Sequence, residues 1–297
     1  MTMKRLFIGA LAWSWAALVA AAPAIVLRDD GGAEHRLDAP PQRIITLLPS
    51  LTESVCALGG CGRLVGVDRY SNWPESIQHL PRLGGLEDAQ VERIVALKPD
   101  VVLAAKSARV TERLQSLGLR VVLVESQTHA DVRRSLALVA QLLGTPEAGG
   151  RTWAGIEAEF NRAAARVPAA WRGKKVYFEV ASDPYAAGAA SFIGETLIKL
   201  GLGNVVPPEL GPFPRLNPEY VVRAQPDIVI ASQKALDSMA DRPGWPAMKA
   251  LKAKPRLACG FDTARYELLI RPGPRMGEAA SALADCVAGL PKTGDAR

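Results

Sequence analysis

The side chains with chemistry to offer are few and far apart. His35, His79 and His129 are the only histidines, and they fall in stretches that do not converge. That pattern reads as scattered surface positions rather than a metal or acid–base cluster. Neither GxSxG, HExxH nor a phosphate loop occurs, and the GLGN at 201–204 follows a helix rather than a strand, so it is no dinucleotide fingerprint. No catalytic residue is assigned. Cys56, Cys61, Cys259 and Cys286 lack the CxxC spacing or adjacent histidine of a zinc site, so no metal site is expected either. Four cysteines in an exported chain favour disulfides, and three pairings can be drawn. The preferred one joins Cys56 to Cys61 across a helix end and Cys259 to Cys286 between a late strand and the last helix. What remains is aromatic: Tyr70 and Trp73 in a long turn-rich loop, and Tyr185 in SDPYAAGAASF. Loops are where binding residues concentrate, so the loop of Tyr70 and Trp73 reads either as a pocket or as rings stapled beneath a loop.

The elements that must position these loops occur twice. VERIVALKPDVVLAA at 91–105 and PEYVVRAQPDIVIAS at 218–232 align without a gap, sharing Glu92/Glu219, Pro99/Pro226 and Asp100/Asp227. Each copy reads as a short helix, stopped at Lys98 or Gln225 because the residue before proline is pushed out of the α region. A buried strand of a parallel sheet follows. Glu53 with Leu58-Gly59 and Glu195 with Leu200-Gly201 make a second matched pair. Two α/β lobes in tandem are therefore expected. In the first, Ser50 and Glu53 have capping-box spacing. Glu53 and Glu92 lie 39 positions apart against 24 for Glu195 and Glu219, so the first lobe carries the longer loop, the one with Tyr70 and Trp73. Between the lobes, from Pro146, an amphipathic pattern with Trp153, Ile156 and Phe160 on one face predicts one long connecting helix.

Residues 1–22 have the layout of a signal peptide: Lys4 and Arg5, an apolar run too short to span a bilayer, then small residues. No cysteine lies near the cleavage site for lipid attachment. The organisation expected is thus a signal peptide at 1–22, an N-terminal α/β lobe at 23–145, a connecting helix at 146–170 and a C-terminal α/β lobe at 171–297. The formal charge of +6 includes the two basic residues of the leader, and no basic block with interleaved aromatics appears, which disfavours nucleic-acid binding.

LPSLTESVCALG, VERIVALKPDVVLA, NPEYVVRAQPDIVIA and RPGPR, in this order behind a signal peptide, resemble the periplasmic substrate-binding proteins of ABC importers for cobalamin, haem and iron-siderophores. The resemblance runs from Arg43 to Leu290 and is greatest to the cobalamin branch. It implies two Rossmann-like lobes joined by a single helix, no catalysis and no cofactor, and a metal chelate held between the lobes of a monomeric periplasmic protein. It implies that Glu92 and Glu219 form salt bridges with arginines of the importer's permease. For cobalamin it implies contacts at Tyr70, Tyr185, Phe213 and Leu86, the last standing where a tryptophan occurs, and an acidic contact at Asp262. Haem would need the Tyr70 phenolate as axial ligand, and an anionic siderophore would need Arg69, Arg215 and Arg271 to converge. A two-lobed hydrolase or chelatase is the remote alternative, since fold does not fix function.

Overall fold

The computed structural model describes residues 24–182 and 184–291. The signal-peptide reading lies outside the described residues.

A hairpin of β1 (Ile25–Arg28) and β2 (Glu34–Leu37) precedes the first lobe. That lobe runs β3 (Ile44–Thr46), α1 (Pro49–Ala57), β4 (Leu64–Val67), α2 (Val91–Ala96), β5 (Val101–Ala105), α3 (Thr111–Ser116), β6 (Val121–Val124) and α4 (His129–Leu142). After α5 (Pro146–Arg166) the second lobe runs β7 (Lys175–Ala181), β8 (Tyr185–Ala186), α6 (Phe192–Lys199), β9 (Gly203–Asn204), α7 (Pro218–Ala224), β10 (Ile228–Ser232), α8 (Gln233–Ser238), α9 (Lys249–Lys252), β11 (Ala258–Phe261), α10 (Thr263–Leu269) and α11 (Met276–Ala288).

The duplication read in the sequence is a duplication of topology. The first sheet has the parallel order β4-β3-β5-β6; in the second, β9-β7-β10-β11 repeats it, with β8 added antiparallel to β7. β5 shows why its run is apolar throughout: Val101 and Leu103 enter a core that continues across α5 into the other lobe, while Val102 and Ala104 enter a second core on the opposite face. The repeated aspartates do the same work in both copies. Asp100 accepts the Arg43 N–H at 2.8 Å, pinning β5 to the start of β3, and Asp227 accepts the Lys175 N–H at 3.0 Å, pinning β10 to β7. Lys98 and Gln225 leave the helical region as expected, adopting left-handed backbone with φ of 46° and 45°.

α5 carries Trp153, Ile156 and Phe160 on its buried face. The last helix of each lobe lies against it, and glycine permits both approaches. A Cβ on Gly149 of α5 would come within 2.8 Å of Ala137 Cα in α4, and one on Gly277 of α11 would collide with the Glu159 carboxylate of α5. Both disulfides, Cys56–Cys61 and Cys259–Cys286, are present, the second joining β11 to α11.

Two local readings are corrected. Ser50 does not cap α1, which begins at Pro49 without a side-chain cap; Glu53, 1% exposed, points into the protein instead of back to the helix start. His129 is no surface residue but is 7% exposed, its ring stacked 4.9 Å from Phe160 and edge-on to Trp153. Its Nε2 lies 3.0 Å from the Phe192 carbonyl oxygen. Burial, helped by the positive charge of Lys199, lowers its pKa from 6.5 to about 4. Because the folded value is depressed, the stability tied to the neutral ring is complete above pH 6.5 and is lost as pH falls towards 4. The loss should be about 3 kcal/mol at one site. Urea titrations at pH 7 and pH 4 should show it, and His129→Gln should flatten the dependence by about that amount; an equal slope in both proteins would contradict it.

Candidate functional site

In open parallel sheets ligands bind outside the carboxyl ends of the strands, where loops lead into helices. In the first lobe the loop after β4 holds Tyr70 and Trp73, 62% and 37% exposed. Its base is a buried polar chain. Asp68, 1% exposed, accepts the Tyr70 N–H at 2.8 Å and the Ser71 hydroxyl, and Ser71 continues through Thr52 to Thr46 by hydroxyl contacts of 2.7 Å. Burial raises the Asp68 pKa, an effect that the Ser71 and Tyr70 hydrogen bonds only partly offset. The loop is held firmly while its rings face solvent. The Tyr70 ring lies beside Gly85, and the next residue, Leu86, is half-buried against the second core. Arg69 closes this arrangement by pairing with Asp88.

In the second lobe Tyr185 on β8 is 40% exposed. Its neighbours lie on the segment before α7, where the Ala186 N–H donates to the Pro214 carbonyl at 3.1 Å and Tyr185 pairs with Arg215. Phe213 belongs to this segment, and its ring is half-buried against the core, 5.9 Å from Phe192 in a tilted pair. Asp262 follows β11 and caps α10, accepting the Arg265 N–H at 2.9 Å; it lines grooves beside α11 and α8. A pocket of about 500 Å³ opens at the ends of β7 and β10, lined by Ser182, Ser232, Lys234, Ser238 and Tyr266. The structure thus places Tyr70 and Trp73 on one loop of the first lobe, with Leu86 next to the Gly85 that Tyr70 lies beside, and Tyr185 beside the Phe213 segment on the second lobe, where Asp262 caps α10 at the edge of two grooves.

Glu92 and Glu219 occupy the first turns of α2 and α7, both exposed, and neither carboxylate has a partner among the described residues. Beside Glu219 is a groove of about 830 Å³ with Pro184, Val222, Pro243 and Trp245 in its lining.

Arg271, named in the sequence only as one of three arginines for an anionic siderophore, is 8% exposed and has a role that local reasoning does not give. It reaches from the second lobe into the first, to Glu53 at 2.8 Å, the Asn72 side chain at 2.8 Å and the Tyr70 carbonyl at 3.1 Å. Its neighbour Arg275 lies 4.5 Å over the Trp73 ring. The RPGPR string was a signal of this place, though not of its chemistry.

Residues 44–263 match the model of the periplasmic binding protein family. The chain belongs to that family. Among curated relatives, a vitamin B12-binding protein of Pectobacterium atrosepticum is 27% identical over 85% of this chain and 90% of its own length. An ABC transporter substrate-binding lipoprotein of Bacillus subtilis, YvrC, is 24% identical over 89% and 85%. Among solved structures of such proteins, the periplasmic heme-binding protein RhuT from Roseiflexus sp. RS-1 superposes with a TM-score of 0.70 at 26% identity, over 83% of this chain and 98% of that one. The fold is therefore the two-lobed periplasmic binding protein fold, and the role is substrate binding for an ABC transporter. No described helix is long and apolar enough to cross a membrane.

Proposed function

We propose that this periplasmic binding protein captures cobalamin between its lobes and delivers it to an inner-membrane ABC importer, docking through Glu92 and Glu219. The observation that carries the ligand reading is the presentation of large exposed rings by both lobes, Tyr70 and Trp73 on one and Tyr185 on the other, at the carboxyl ends of the strands. Rings that are wet in the free protein gain most when a broad, partly apolar ligand covers them. Vitamin B12-binding relatives match most of the chain, which supports the same ligand.

Haem is the second reading, favoured by one observation. The Tyr70 phenol is the most exposed large side chain of the site and lies beside the Arg69 guanidinium, 5.8 Å from its ring, an arrangement open to a metal at the phenol oxygen. Protein purified from the periplasm of its native host should carry the visible bands of a corrinoid. A Soret band in that material would move the assignment to haem, and colourless protein that releases no corrinoid on denaturation would count against cobalamin.

A further inference from the structure

Glu53 and Glu195, the glutamates that the sequence pairs between the lobes, each leave their own lobe. Glu53, on α1, accepts Arg271 Nη1 at 2.8 Å and lies 3.8 Å from Arg275. Its other oxygen has no hydrogen-bond partner among the described residues, so the arginines are what offset its burial. Burial nevertheless raises its pKa, against the lowering effect of Arg271. Glu195, on α6, accepts the His129 N–H at 2.5 Å, and the adjoining Phe192 N–H donates to the Gln127 carbonyl at 2.6 Å.

The two contacts correspond. Arg271 lies in the chain leading into α11, the last helix of the second lobe; Gln127 and His129 lead into α4, the last helix of the first. Each first helix thus holds the approach to the last helix of the opposite lobe, and both last helices rest on α5. The contacts are unequal. Arg271 spreads over Glu53, Asn72, the Tyr70 carbonyl and, in its own lobe, Glu267 at 2.7 Å, and it is buried, whereas the Glu195 side chain is 34% exposed.

We infer that Glu53 and Glu195 are a matched pair of interlobe tethers that set the opening of the cleft, and that Arg271 is the positioning residue fixing the loop of Tyr70 and Trp73. The tether stands on geometry alone; its bearing on capture rests on the ligand reading above. A guanidinium with four acceptors in a dry site cannot be replaced by an ammonium, because lysine lacks the planar fork.

The test is hydrogen exchange on the ligand-free mature protein, so its failure is separable from failure of the cobalamin assignment. Arg271→Met, a change in the second lobe, should speed exchange of the 69–73 amides in the first by about tenfold or more, and Arg271→Lys should not restore it. Glu195→Ala should do the same across the other junction, at 127–132, while sparing 69–73. Scattering from Glu53→Gln/Glu195→Ala should give a larger radius of gyration than either single variant. A role in local packing would instead loosen each variant's own lobe. Exchange at the opposite-lobe segment within about twofold of the parent, in variants retaining near-ultraviolet dichroism, would overturn the inference. If Arg271→Met does not fold, Arg271→Lys and Glu195→Ala decide by the same criterion.

Discussion

A protein carrying Glu92→Ala and Glu219→Ala will bind cobalamin as the parent does and will fail to stimulate ATP hydrolysis by its importer. Both carboxylates are exposed and have no partner among the described residues, at the first turns of equivalent helices in the two lobes. Their contribution inside the protein is limited to complementing a helix dipole, ~0.3 to 1 kcal/mol each, so the variant should remain folded. Charges at the rim of an interface act mainly on orientation and encounter, so on the docking proposal two of them, one per lobe, would set the angle at which the receptor meets its transporter. Stimulation measured with the importer in proteoliposomes should fall to the basal rate in the double variant, with each single variant between. Lost ligand affinity with stimulation intact would place these glutamates in the pocket and end the docking assignment.

Tyr70→Ala and Tyr185→Ala should each weaken cobalamin binding by about tenfold and together by about a hundredfold, since a ring covered by ligand contributes of order 1.5 kcal/mol and the two stand on different lobes. Stability should change little, because both rings are largely solvent-exposed before the ligand arrives. Phe213→Ala should behave differently. Its ring is half-buried against Phe192, so truncation should lower the unfolding midpoint as well as the affinity. Calorimetric titration of the three variants separates these cases, and an unchanged affinity in Tyr70→Ala/Tyr185→Ala would remove the aromatic account of the cleft.

What was legible in the sequence was whatever depends on short range. The apolar runs that follow Pro99 and Pro226 locate β5 and β10, because the residue before proline leaves the α region and an unbroken apolar run suits a strand buried on both faces, and the run from Pro146 announces α5 because its apolar period does not break. Glu53 was misread for the same reason. A serine and a glutamate three residues apart is a local pattern shared by helix caps and by chance, and the partner that decides between them, Arg271, is 218 residues away. His129 reads as a surface group in the sequence because nothing local reports that Phe160 and Trp153, on a later helix, enclose it. Nothing local to Phe213 reports that its ring packs 5.9 Å from Phe192, since that neighbour lies 21 positions earlier in the chain. Aromatic loop residues mark where a ligand can sit; which way each ring faces is settled by packing between segments distant in sequence.

The most direct test of the central claim is a titration of the ligand-free protein with cyanocobalamin, followed by heat and by absorbance together. The account predicts saturation near one ligand per protein with the cobalamin spectrum scarcely moved, since capture by stacking leaves the axial ligands of the cobalt in place. A heat-silent cyanocobalamin titration, together with a Soret shift on adding haemin that disappears in Tyr70→Phe, would contradict it.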